Sequence, residues 1–290
     1  LPVASSVRFA EDIRALVDKL DNPEVALLAI VNNYSAPDAK RFAALYGILH
    51  RYRRDHQNDK FSALLSAHAL EFGHEPYVRT FWATEWHTRR ARTRADLEAA
   101  LAASESALKG GLSGRPGVLH QFAAISADLI VILPPGRERR KLTANATDRC
   151  RSAIRVAVTP NANFHATLAL LLSADSRHAE AQEEIGKAIS LQDARSRDAI
   201  RRLARFESIR SEISFSERQA IFRTEFQDAR ESLREARRDQ VQMLGILAAA
   251  IALITTTTTL STRVEGPGAI RVILAGCGAV TMAFAALMWG

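Results

Sequence analysis

Four short stretches of this chain concentrate arginine: "HRYRRDH" with Arg51, Arg53 and Arg54, "HTRRARTR" with Arg89, Arg90, Arg92 and Arg94, "GRERRK" with Arg137, Arg139 and Arg140, and "RDAIRRLAR" with Arg197, Arg201, Arg202 and Arg205. Of 39 basic residues only 6 are lysine. The guanidinium is a flat fork that matches phosphate or carboxylate oxygens two at a time, so these clusters point to an anionic partner. Trp82 and Trp86 lie just before the second cluster, and an aromatic ring beside arginine can hold a nucleotide base and its phosphate together. Two competing readings stay open. Each cluster can be a solvated face paired with nearby acids, and the tryptophans, four apart, suit a helical core. The anionic inner leaflet competes for Arg234, Arg237 and Arg238.

Other chemistry is sparse. Gly186-Lys187 in "AEAQEEIGKAIS" lacks the first glycine and the following hydroxyl of a phosphate loop. His68 and His74 are six apart, the wrong spacing for two ligands on one helical face, and no cysteine is near. No serine, cysteine or threonine has a recognisable nucleophile context. Cys150 and Cys277 are too few and too distant for a disulfide framework or a thiolate metal site. The expectation is a protein that is not an enzyme and uses no cofactor or metal.

A second polar feature is the run Thr255, Thr256, Thr257, Thr258 and Thr259 at the end of "LAAAIALITTTTTLST". Five consecutive hydroxyls place oxygen on every side of a helix. They can bond back to their own carbonyls, between helices, or toward a wet lumen.

The elements that must position these groups read as all-α. Apolar residues recur at helical spacing, and no alternating strand pattern appears. In "NFHATLALLLSADSRHAEAQEEIGKAISL", Leu168, Ala169 and Leu172 lie on one helix, and Ala181, Ile185 and Ala188 on the next. "DLEAALAASESAL" puts Ala100 and Ala107 seven apart behind the aromatic helix "YVRTFWATEW". A weaker pair joins "VLHQFAAISADLI" to "DRCRSAIRVAV" across the long "VILPPGRERRKLTANAT". Residues 75–210 thus resemble the tetratricopeptide superfamily, in which small residues let the second helix of each pair approach the first. Ala107, Ala153 and Ala188 are 46 and 35 positions apart, against a family period of about 34. The resemblance implies a helical-hairpin solenoid over 1–210 whose groove binds a peptide, a protein partner or a small ligand.

Residues 211–242 read as a stalk helix. Phe215, Gln219, Phe222, Phe226, Ala229, Leu233, Ala236, Gln240, Met243 and Leu247 alternate four and three apart. This seam can pack on its own domain or join copies into a homo-oligomer. The formal charge is +7, and only Arg263, Glu265 and Arg271 follow Met243. Residues 243–260 carry no charge and would span roughly 27 Å as a helix. Residues 269–289 form a second apolar run ending near Trp289, and Gly-Pro-Gly turns the chain between them. The reading is a two-span transmembrane hairpin over 243–290, with a buried soluble hairpin as the alternative. Ala275, Ala279 and Ala283 offer small residues for close helix packing.

Arginines before the first span place the N-terminal domain and the C-terminus in the cytoplasm, at the inner membrane of a cell. The N-terminus lacks the pattern of a signal peptide. This layout resembles membrane effectors of bacterial antiviral nucleotide-signalling operons. It implies an oligomer in the lipid bilayer that senses a nucleotide or oligonucleotide and opens a pore, an ion channel or a lesion. The alternative is a membrane-tethered scaffold that docks a protein or peptide.

Overall fold

The computed structural model describes residues 2, 4, 8–192 and 199–261, and beyond these only 271, 274–276, 278 and 282. The fold is all-α, 81% helical, with no strand among the described residues. The helices are α1 (Phe9–Val17), α2 (Pro23–Val31), α3 (Asp38–Arg54), α4 (Asn58–His68), α5 (Pro76–His87), α6 (Arg94–Ala107), α7 (Pro116–Ile132), α8 (Arg137–Val156), α9 (Ala162–Ala174), α10 (His178–Ser190) and α11 (Ala199–Ser261). A π-helical turn, Leu108–Leu112, extends α6.

Local sequence explains many of the boundaries. Pro23, Pro76 and Pro116 each open a helix, where a missing N–H costs nothing and the fixed φ is already helical. Thr93 and Asp96 cap α6 reciprocally: the Thr93 hydroxyl accepts from the Asp96 amide while the Asp96 carboxylate accepts from the Thr93 amide. Asn161 caps α9 through the amide of Asn163. Gly111 ends the π turn at φ +104, a conformation that a side chain would strain.

Helices pack as sequential pairs: α2 on α3, α5 on α6, α7 on α8, and α9 on α10, with α3–α4, α4–α5, α6–α7 and α8–α9 contacts joining them. This is repeat-like packing. Ala100 and Ala107 on α6, Ala153 on α8, and Ala181 and Ala188 on α10 are wholly buried, as their spacing in the sequence predicts. A methyl group there lets two helix backbones approach, and the longer Leu168, Leu172 and Ile185 fill the space beside it.

One connection differs from the sequence reading. The chain "GRERRKLTANAT" is not a linker but the first half of α8, and the α7–α8 turn is only residues 133–136. The helix is hidden in the sequence because its buried positions are small or polar: Thr143, Ala146, Thr147, Cys150 and Ala153. Thr143 donates to the Arg139 carbonyl at 2.8 Å, so its hydroxyl is satisfied without leaving the helix.

The chain forms two compact units, 1–217 and 218–290. In the first, α1 packs against α3. Phe9, Phe42, Tyr46, Tyr77 and Phe81 form a connected aromatic core there, with neighbouring ring centroids 4.9–6.1 Å apart. Gly47 permits the α1–α3 approach, since a Cβ at this position would lie 3.0 Å from Val17 and 3.2 Å from Ile13. Phe206, Ile209 and Ile213 of α11 are buried in this unit.

In the second unit the remainder of α11 continues as helix, and Phe222, Phe226, Leu233, Met243 and Leu247 are exposed on it. The Phe222 and Phe226 rings stack with centroids 6.3 Å apart. Among the described residues α11 is the one helix long and apolar enough to cross a membrane. The second apolar run, residues 269–289, lies largely outside the described residues.

Candidate functional site

The structure distributes the clustered arginines over more than one cleft, with Arg53 in one and Arg89 and Arg90 in another. Several clustered arginines meet acids, among them Arg92 with Asp128 at 2.9 Å. Arg51 pairs with Asp55 at 3.4 Å, Arg54 with Asp18 at 2.8 Å, Arg89 with Asp96 at 2.6 Å, and Arg94 with Glu98 at 2.6 Å. Arg137, Arg139 and Arg140 occupy the first turn of α8, and Arg202 is half-buried on α11. Arg89 and Arg90 line a cleft of about 390 Å³ with His56, Asp59, Ser62 and Glu85. Arg201 reaches its edge, with Nη1 3.3 Å from His56 Nε2. Asp59 and Glu85 offset much of the positive charge of that cleft. Trp82 and Trp86 stack on each other, centroids 5.7 Å apart, and pack against the core. Both are half-buried.

A second cleft, also of about 390 Å³, has a different balance. Arg8 and Arg14 come from α1 and the residue before it, Tyr46, His50 and Arg53 from α3, Tyr77 and Thr80 from α5, and Arg115 from the turn that enters α7. Glu11 is its single acid. Of the arginines singled out by clustering, only Arg53 is here. Arg8, Arg14 and Arg115 stand alone in the sequence and gave no local signal. Tyr46, His50 and Arg53 do share one signal: they lie at i, i+4 and i+7, one face of α3. Gln121 on α7 is held in place by donating to the Thr80 carbonyl at 2.8 Å and the Thr84 hydroxyl at 2.9 Å. Exposed Val156 and Val158 add apolar surface to the lining.

The electrostatics of this cleft are set by burial and crowding of like charges. Arg53 is exposed at the cleft, and its pKa is lowered by desolvation and by the positive charge of Arg14, with Tyr46 opposing the shift. Arg14 donates Nε–H to the Ala10 carbonyl at 2.8 Å. Neither Arg14 nor Arg53 forms an ion pair with a carboxylate among the described residues. Burial drives His50 down to about 3, with Arg53, Arg14 and Arg54 assisting, so it is a neutral imidazole at physiological pH. Burial also pushes Tyr46 up to about 12 and raises Tyr77. The Tyr77 side chain is 4% exposed, and its hydroxyl is buried. Arg115 opposes the rise at Tyr77 through its charge and a side-chain interaction with the hydroxyl.

No group of three or more His, Cys, Asp or Glu side chains gathers as a metal site among the described residues. Cys150 is buried, and desolvation pushes its thiol up to about 12, which suppresses thiolate chemistry. Its S–H donates to the Phe164 carbonyl at 3.3 Å.

On α11 the described threonine hydroxyls turn back on their own helix. Thr255 donates toward the Ile251 and Ala252 carbonyls, both at 2.9 Å, Thr256 to Ala252 at 2.5 Å, and Thr259 to Thr255. Each of these donors is satisfied locally. The side chains of Thr257 and Thr258 lie outside the described residues, as do Ala279 and Ala283.

The chain matches no family model, no curated protein and no solved structure.

Proposed function

We propose that this protein is a membrane effector: a tetratricopeptide-like domain that senses an anionic signal, joined through α11 to assembled membrane spans that open a pore or disrupt the bilayer. It acts by binding and permeation rather than by catalysis. Its place is the inner membrane, with the helical-repeat domain and the C-terminus in the cytoplasm and two spans in the bilayer. The layout is that of the effectors of antiviral nucleotide-signalling operons.

One observation carries the reading. α11 has Phe206, Ile209 and Ile213 in the core of the first unit and continues as helix into an exposed apolar segment. A helix with one end in a sensing domain and the other in lipid is a route by which a ligand signal can reach the membrane. The exposed seam from Phe222 to Leu247 supports assembly of copies, because an apolar stripe of this length is normally covered. The arginine-lined cleft supports the sensing role.

The test is to reconstitute the purified full chain in liposomes and record current while titrating mononucleotides and short oligonucleotides. Ligand-dependent current is the expected result. Absence of current under every ligand, together with capture of a defined peptide by the repeat groove, would replace the effector by a tethered adaptor.

A further inference from the structure

The cleft lined by Arg14 and Arg53 has a chemistry more specific than positive charge. Arg14 and Arg53 approach closely enough for one to depress the pKa of the other, and no carboxylate of the described residues separates or neutralises them. Two cations held together by a fold repel, and the repulsion is relieved when an anion enters between them. The lining carries Arg14 and Arg53 without a carboxylate ion pair among the described residues and Glu11 as its single acid, so a ligand with two negative charges fits this pair better than a monoanion. A phosphate presents three oxygens and up to two charges to several guanidinium forks at once; a carboxylate presents two oxygens and one charge.

Size and the rest of the lining restrict the ligand further. About 390 Å³ is a small-molecule volume, near the low end of the usual range of roughly 300–1,000 Å³. Val156 and Val158 are exposed at its lining and offer apolar contact beside the arginines. His50 and Thr80 supply neutral polar groups.

We infer that this cleft binds a phosphorylated small molecule of mononucleotide size, with its phosphate held by Arg14 and Arg53, and Arg8 and Arg115 flanking. The assignment deepens the proposed function by naming the site and chemical class of the signal, and it rests on that reading only for its consequence, not for the binding itself. The clustered arginines of the other cleft, Arg89 and Arg90, are not part of this site.

The experiment is calorimetry on the detergent-solubilised full chain with four probes: adenosine monophosphate, inorganic pyrophosphate, adenosine and citrate. The expected result is saturable binding of the two phosphates at one site per chain, with adenosine and citrate at least tenfold weaker. Arg53→Gln and Arg14→Gln should each weaken phosphate binding at least tenfold, while Arg89→Gln with Arg90→Gln changes it less than twofold. Thermal unfolding of each variant without ligand confirms that it folds. No saturable phosphate binding, or citrate binding as tightly, overturns the assignment. So does an equal loss from the Arg89/Arg90 pair.

Liposome current then separates the two proposals. Binding as expected without current leaves the cleft assignment standing and removes the effector. Nucleotide-evoked current that survives Arg53→Gln and Arg14→Gln leaves the effector standing and removes the cleft.

Discussion

Arg54 Nη1 donates to Asp18 Oδ1 at 2.8 Å, tying the last turn of α3 to the end of α1, whereas its neighbour Arg53 lines the cleft and has no such partner. Consecutive residues on a helix point about 100° apart, so one arginine is spent on structure and the next on the cleft. Both members of the Arg54–Asp18 pair are well exposed, and such pairs contribute about 0–1 kcal/mol. Arg54→Ala should therefore lower stability by no more than about 1 kcal/mol. Arg53→Gln removes a cation from a crowded positive site, and the unliganded chain should be as stable as the parent or more so. Chemical denaturation of both variants checks this; a large loss from Arg53→Gln would make Arg53 a structural residue.

Gly47 sets the distance between α1 and α3, and hence between Arg14 and Arg53. A valine at 47 would collide with Val17 and Ile13. Overpacking of this kind costs about 1–3 kcal/mol, and relief by movement of α1 would displace Arg14. Gly47→Val should lower the unfolding midpoint and weaken pyrophosphate binding, although residue 47 does not line the cleft. Normal binding in this variant would show that the position of α1 does not matter to the site.

The helical pairs were legible in the sequence because small residues recur at contact points: Ala107, Ala153 and Ala188 announce close helix approach whatever surrounds them. The cleft was not legible, for a physical reason. Some clustered arginines sit where the chain also supplies acids within a few residues, as Arg94 has Glu98 and Arg51 has Asp55, so clustering alone does not mark a ligand site. Arg8, Arg14 and Arg115 are isolated in sequence and converge only when α1, α3, α5 and the turn before α7 assemble. The first half of α8 was hidden in the same way, because its buried stripe is threonine and alanine rather than leucine.

Acidification tests the buried histidines. His50 is driven to about 3 and His120 to about 4, both mainly by burial. His120 stacks on Phe164 with centroids 4.5 Å apart and bonds the Thr167 hydroxyl at 2.9 Å. Both are neutral in the folded chain, while in the unfolded chain each takes a proton below about 6.5. The unfolded state thus binds more protons between pH 6.5 and about 4, so stability falls as pH falls through that window. Each group contributes up to about 1.4 kcal/mol per pH unit there. His120→Gln and His50→Gln should each flatten the slope of stability against pH; an unchanged slope would mean that the imidazole is protonated in the folded chain.

The stalk seam predicts the direction in which copies associate. With Gln219, Phe226, Leu233 and Gln240 at the first core position and Phe222, Ala229, Ala236 and Met243 at the second, Arg223, Arg230 and Arg237 fall on one flank and Glu225, Ser232 and Asp239 on the other. Parallel copies place Glu225 of one opposite Arg230 of the next. Antiparallel copies place arginine flank against arginine flank. Ala229→Cys, in a background with Cys277→Ser, should cross-link copies of the full chain under mild oxidation. Arg230→Glu should weaken association a few-fold, since such pairs are worth about 0.3–0.5 kcal/mol each, and Glu225→Arg with Arg230→Glu should restore it. A chain that stays monomeric in detergent and in lipid would remove the seam from the account.

The threonine run bears most directly on permeation. Thr255, Thr256 and Thr259 donate to carbonyls three or four residues earlier, so their hydroxyls do not need a second helix to survive in lipid. A hydroxyl that donates to its own helix keeps further lone pairs on its oxygen, so a threonine run gives a span more polar surface than valine would. Valine keeps the β-branched shape and removes the oxygen, while serine keeps the oxygen and removes the branch. Replacing all of Thr255, Thr256, Thr257, Thr258 and Thr259 by valine should leave helicity and membrane insertion intact and reduce ligand-evoked current at least tenfold. The corresponding serine variant should retain most of the current, because a wet lumen requires polar surface rather than a particular side-chain shape. Equal currents from the parent and the valine variant would demote the run to a tolerated segment of the span and move the search for the conducting surface to residues 269–289.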